Sequence, residues 1–245
     1  MFRRLTPFLV SAAVVACGTD QPTALAPSEA SANRLASTES FDVTITNMTT
    51  GQPLSPAVLV THVRRVSLFS MGAAASAGIQ AIAEDGNPAV AATMLTGARG
   101  VFDVVTTGAP AHRIGGPGPN TVQATITADG EHRLLSLATM LICSNDGFAG
   151  LNGVALPNDD QPVTVYAYGY DAGTERNTEA QGDIVPPCFG IGPVGGFAGG
   201  GGRRAESRTI RMHPGFHGER DLVPAEHGWQ GPVAIITIQR AGGTT

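Results

Sequence analysis

Beyond residue 40 the chain repeatedly switches its hydrophobic period. Phe41-Asp42-Val43-Thr44-Ile45-Thr46-Asn47 alternates apolar and polar positions, the period-two pattern of a strand with one buried face. Thr49-Thr50-Gly51-Gln52-Pro53 forms a turn, and Ala57 to His62 follows with little alternation, as for a strand buried on both sides. Between Gly72 and Gly97 the period changes. Ser76, then Ile79, Ala81, Ile82 and Ala83, predicts a short helix broken at Asp85-Gly86-Asn87-Pro88, and a second runs from Ala89 to Leu95. Strands are predicted again at Val101–Thr106, Thr121–Ala128 and Arg133–Ile142, the last two joined by a turn at Asp129-Gly130. Val163–Tyr168, Ser207–Met212 and Pro232–Gln239 complete the set. Many short strands separated by Gly/Pro turns, with two small helices inserted, predict an all-β antiparallel β-sandwich.

The remaining segments organise the chain around that domain. Arg3 and Arg4 precede an apolar run from Leu5 to Ala16 that is too short to span a bilayer. Residues 1–16 are therefore predicted to be an export signal. Val14-Val15-Ala16-Cys17 is similar to a bacterial lipobox, which makes Cys17 the expected lipidation site; an ordinary secretory signal with an incidental cysteine is the alternative. Gly18, with no Asp after the cysteine, points to the outer membrane. Residues 17–40, rich in Ala, Ser, Thr and Pro, are expected to tether the domain at 41–240, with 241–245 a disordered tail. Gly190 to Gly202 is glycine-rich and is expected to be a loop; it lacks the Lys and Ser/Thr of a phosphate cradle.

Composition narrows the function. The 245 residues are 42% hydrophobic but only 5% aromatic, so the core must be built from Val, Ile, Leu and Ala. The formal charge is −5, every basic residue is Arg, and no basic stripe tracks a phosphate backbone. Nucleic acid is thereby excluded as a partner. With Cys17 set aside, Cys143 and Cys188 remain, and in an oxidising compartment pairing is the economical expectation.

Two acidic turns carry the candidate chemistry: Ser144-Asn145-Asp146-Gly147 and Tyr170-Asp171-Ala172-Gly173-Thr174-Glu175. Each adjoins a predicted strand. Asp146, Asp171 and Glu175 are the expected ligands of a calcium-like cation, which takes six to eight oxygens. Asn145 and Asn177 could add amide oxygens. The spacing is not that of an EF-hand.

Several phrases resemble the spondin domain, the N-terminal module of F-spondin and mindin. They are Phe41 through Pro56, Ala83-Glu84-Asp85-Gly86, Asn145-Asp146-Gly147-Phe148-Ala149-Gly150 and Tyr170 through Glu175. The resemblance runs from Phe41 to Gln239. It implies a β-sandwich related to the calcium-and-lipid-binding modules, with a metal site at the two acidic steps, and a secreted adhesion role. Glu175 departs from the pattern, since the animal domains have Asp there.

The expectation is an exported, lipid-anchored binding and adhesion module, not an enzyme, with Ca2+ as cofactor and an unknown protein or glycan as partner. Its membrane contact would be the lipid anchor alone. The alternatives are an envelope scaffold and a metal-assisted hydrolase using His213 and His217. Pro214 and Gly215 separate those histidines by a turn, and no nucleophile or zinc motif accompanies them. His227 joins that cluster as a surface residue; Trp229 is expected to be a core or rim anchor and Arg203-Arg204 a solvated pair.

Overall fold

The computed structural model describes residues 37–194 and 203–242. The signal segment, Cys17, the tether as far as residue 36, the glycine-rich stretch 195–202 and the tail from 243 lie outside the described residues. Among the described residues no helix is long and apolar enough to cross a membrane.

Among the described residues nine strands form the fold: β1 (Glu39–Asn47), β2 (Val58–His62), β3 (Val101–Thr106), β4 (Thr121–Ala128), β5 (Leu134–Met140), β6 (Gly147–Ala155), β7 (Val163–Asp171), β8 (Arg211–Met212) and β9 (Ala234–Arg240). Helices α1 (Ala77–Asp85) and α2 (Ala89–Leu95) are inserted between β2 and β3, and the short α3 (Pro187–Ile191) and α4 (Pro224–His227) follow β7. The neighbour order is β3-β2-β5-β6-β7-β9-β1-β4, with β8 added beside β7. Every pairing is antiparallel. The chain is therefore all-β with inserted helices.

The two halves of the expected sandwich are joined, because β7 belongs to both. On one edge it pairs β6, with Gly147 opposite Asp171 and Gly150 opposite Tyr168. On its other edge it pairs β9 from Val163 to Ala167, then β8 at Tyr170 and Asp171. The curled sheet nearly closes on itself. Where β3 meets β4 the Asp103 side chain replaces a ladder: its Oδ2 accepts from Thr127 N (2.8 Å) and Thr127 Oγ1 (2.6 Å), and Thr61 Oγ1 donates to Thr127 O (2.7 Å).

Burial explains the periods. Phe41, Val43 and Ile45 point inward from β1 to meet Ile126, Leu135, Leu137, Ile236 and Ile238 in the main core. β2 lacks alternation because both of its faces are covered. Leu59 enters that core, while Val58 and Val60 pack outward with Ile79 and Ile82 of α1. Ser76 caps α1, its Oγ accepting from Ile79 N at 3.2 Å, and Gly86 ends it at φ 64°, a left-handed position open to glycine.

β6 lies where the sequence pattern predicts no strand. Glycines at 147, 150 and 153 dilute its hydrophobic pattern, and the reason is crowding: a Cβ on Gly150 would come 2.7 Å from the Phe69 ring. The closing strand expected at Ser207–Met212 shrinks to Arg211–Met212, whereas β7 runs three residues further than expected, to Asp171.

Candidate metal centre

The register that sets Gly147 opposite Asp171 brings the two acidic turns together at one end of β6 and β7. Ala172 N donates to Asp146 O at 3.1 Å across the junction. The first turn is tied down on both sides. Cys143 and Cys188 form a disulfide spanning 45 residues, and the buried Gln52 side chain accepts from Cys143 N at 2.9 Å while donating to Cys143 O and His227 O. Ser144 Oγ accepts from Gly147 N (3.0 Å) and donates to Leu141 O (2.6 Å). Gly147 is needed for room, since a Cβ there would collide with Ser144 Oγ and sit 3.1 Å from His213 Cδ2. In the second turn Gly173 holds φ 71°, and a Cβ would meet the Arg208 backbone at 2.7 Å.

Asp146 is fully buried. Its Oδ2 accepts from Thr174 N (2.7 Å), Glu175 N (3.0 Å) and Thr174 Oγ1 (3.3 Å), so this carboxylate shapes the second turn. Its Oδ1 has no hydrogen-bond partner. Glu175 is only 2% exposed, and neither of its carboxylate oxygens accepts a hydrogen bond. The nearest cation is Arg203, with Nε 3.4 Å from Oε1. The amide oxygens of Asn145 and Asn177 are also buried and bare. Their NH2 groups are used, by Thr178 Oγ1 (3.4 Å) and Asp171 Oδ2 (2.7 Å) respectively.

Asp171 differs. Its Oδ1 accepts from Gly173 N (2.8 Å), and its Oδ2 is shared by Asn177 and Arg211 Nη2 (2.8 Å). It is an ion-paired brace of the turn, with spare lone pairs on Oδ1. Among the described residues no three His, Cys, Asp or Glu side chains meet closely enough to hold a metal by themselves. The bare oxygens are of mixed origin: two carboxylates, Asp146 and Glu175, and two amides, Asn145 and Asn177.

Electrostatics agree with that inventory. Burial, then the neighbouring Asp171 charge, pushes the Asp146 carboxyl up to about 6, against the pull of the Thr174 and Glu175 hydrogen bonds. Burial, then Glu84, pushes Glu175 up to about 8, with Arg203 opposing and Asp146 and Asp85 adding to the rise. A buried oxygen left without a donor costs about 1–3 kcal/mol. Five such acceptors, on Asn145, Asp146, Glu175 and Asn177, lie in or just beyond the two adjoining turns, and all are oxygens, the donor type that calcium takes.

The histidines do not assemble. His213 lies against Gly147, within the field of Asp171, but its Nδ1 accepts from Gly215 N (3.0 Å) and its Nε2 is shut in without a partner. Burial presses its pKa down to about 4. His217 is exposed, whereas His227 is buried rather than on the surface. Neither ring nitrogen of His213 touches a hydroxyl or thiol that could act as a nucleophile.

Three contributors lie beyond sequence reasoning. Arg203 reaches Glu84, Asp85 and Glu175 at once, so it is not the solvated arginine its doublet suggests. Arg211 occupies Asp171. Glu179, in a left-handed conformation at φ 54°, turns its buried carboxylate to the backbone N–H groups of His217 and Glu219 and so fastens the 213–219 loop to the second acidic turn. No local pattern marks any of these.

A family model described as Spondin_N matches residues 39–182, a span that contains Asp146, Asp171 and Glu175. No curated protein matches the chain.

Proposed function

Because the chain belongs to the spondin N-terminal family, a family of extracellular binding modules, we propose that it is an exported adhesion-type module whose binding face is organised by a calcium-like cation. The disulfide between Cys143 and Cys188 fits an exported protein. One observation carries the cation: the bare, buried oxygens of Asp146, Glu175, Asn145 and Asn177. Asp146 Oδ1 and the Glu175 carboxylate would hold it, with the two amide oxygens and the free lone pairs of Asp171 Oδ1 completing the shell. Oxygen donors alone favour calcium over zinc. A bound cation would supply positive charge to the Asp146 and Glu175 carboxylates, of which, among the described residues, only Glu175 has a cationic neighbour, Arg203, and shares it with Glu84 and Asp85.

The chain's own residues do the rest. Asp146 Oδ2 holds the second turn through Thr174 and Glu175, Asp171 braces it through Gly173 and Arg211, and Glu179 extends the frame to the 213–219 loop. The cation thereby stiffens the loops that meet a partner, a protein or a glycan at the cell surface. Cys17 would anchor the module to the outer membrane through lipid.

Calorimetry on the chelator-treated chain tests the reading. One calcium site of submillimolar to millimolar affinity, as in extracellular modules, is expected, and Asp146→Asn and Glu175→Gln should each abolish it. Absence of heat up to about 10 mM calcium, well past that range, would overturn it. Intact-mass analysis of the membrane fraction tests the anchor: a diacylglyceryl adduct on Cys17 is expected, and a soluble unmodified chain removes it.

A further inference from the structure

We propose that the cleft where β7 exchanges β9 for β8 is a saccharide-binding site centred on Trp229. The inference rests on the reading of the chain as a binding module, and it names the ligand class and the place; it does not depend on the cation.

Between Ala167, the last residue paired with β9, and Tyr170, the first paired with β8, the edge of β7 has no strand beside it. A cleft of about 330 Å³ opens there, lined by Tyr168, Gly169, Met212, His213, Gly215 and Trp229 among others. That volume is at the lower end of small-molecule pockets, about 300–1,000 Å³.

The Trp229 ring is held in place. It lies so close over Gly169 that a Cβ would come 2.7 Å from Cζ2. His213 packs beside it with ring centroids 5.0 Å apart, and Phe216 meets it edge-on at 5.9 Å. His213 is itself fixed by its N–H to Gly169 O (3.0 Å) and by contact with Phe216 (5.6 Å). An aromatic surface locked in this way loses little conformational entropy on binding. On the rim, Tyr168 is 43% exposed and Met212 48%.

The chemistry of the lining selects the ligand. No Asp, Glu or Arg side chain lines the cleft, so nothing there attracts a charged ligand. Among the described residues no protein acceptor takes the Trp229 indole N–H, which lies beside Gly169 but is not sealed off from water. The Tyr168 hydroxyl is likewise open. Aromatic surfaces beside uncharged donors, with glycine backbone between them, suit a neutral ring that has an apolar face and equatorial hydroxyls. A pyranose has that build. An aliphatic peptide side chain would leave the N–H and O–H unused, at the cost that follows from desolvating them.

Trp229 is the only tryptophan in the chain, so its fluorescence reports on this cleft alone. The mature chain is titrated with glucose, galactose, mannose, N-acetylglucosamine, N-acetylgalactosamine and rhamnose up to about 100 mM, far above a millimolar Kd, in calcium and in chelator. A saturable change in Trp229 emission with at least one sugar is expected. Tyr168→Ala, a rim substitution that leaves the circular dichroism and Tm unchanged, should weaken that sugar by roughly two- to tenfold, the loss when one aromatic contact goes. No saturable change with any of the six sugars, or the same affinity in Tyr168→Ala, overturns the proposal. So does emission that responds to Leu- or Pro-rich peptides but to no sugar. Calcium calorimetry on the same sample separates the two readings: sugar binding without calcium heat keeps this site and drops the cation, and the converse does the reverse.

Discussion

Replacing Asp146 by Asn should make the cation-free domain more stable at neutral pH. The carboxylate is fully buried and beside Asp171, and its pKa is pushed from an ordinary 3.8 up to about 6. Below the unfolded value both states carry the proton and there is no penalty. As pH rises from about 4 to about 6 the unfolded chain ionises while the folded chain resists, so stability falls with pH; above the folded value the loss is complete and constant. Two units at 1.36 kcal/mol each amount to about 3 kcal/mol. The amide introduced by Asp146→Asn would still present a side-chain oxygen to Thr174 N and Glu175 N, so the turn survives without the charge. Allowing for weaker hydrogen bonds to a neutral acceptor, the gain at pH 8 in chelator is about 1–3 kcal/mol. For a domain of this size each kcal/mol shifts Tm by roughly 2–4 °C. The advantage should disappear at pH 4. In calcium that advantage should close or invert, because the wild-type chain gains about 2.7 kcal/mol at a hundredfold excess over Kd and the variant gains little. Thermal melts at pH 4, 6 and 8, with calcium and with chelator, measure all of this. If Asp146→Asn is the less stable protein at pH 8 in chelator, the folded state wants that charge and the reasoning from a bare, desolvated carboxylate fails.

Acidification should weaken calcium binding between about pH 9 and pH 6, since a Glu175 carboxyl raised to about 8 must lose its proton to bind; calorimetry across that range in buffers of different ionisation enthalpy would count the proton released. Arg203→Ala removes the guanidinium that shares Glu175 with Glu84 and Asp85, and calcium affinity should rise several-fold, whereas weaker binding would make Arg203 a support of the site. Asp103→Ala deletes the carboxylate closing the β3–β4 seam. It should cost about 2–3 kcal/mol, in the range for charge-assisted hydrogen bonds, with amide exchange at Thr127 accelerated before exchange in β5. Cys143→Ser with Cys188→Ser opens a link across 45 residues and should lower stability by about 4 kcal/mol on the chain-entropy scale, read by urea denaturation.

Those effects draw on information of two kinds, and only one of them was legible along the chain. Local chemistry determined the alternating strand β1, the Ser76 cap, the helix stop at Gly86, the Cys143–Cys188 pair and the family that the acidic turns resemble, because each depends on neighbours within a few residues or on there being one partner to choose. The tertiary structure alone decided what depends on crowding and desolvation between distant segments. β6 is a strand although glycines erase its pattern, since Phe69 and Ser144 leave no room for a Cβ at Gly150 and Gly147. Asp146 and Asp171 look alike in sequence, yet Arg211 occupies one while Oδ1 of the other stays bare. Arg203 leaves its doublet to sit among three carboxylates, and Trp229 lines a cleft because β7 changes partner at Gly169. Periodicity records which face of a segment is buried; it carries no record of which buried atom finds a partner, and that is settled by contacts between residues far apart in the chain.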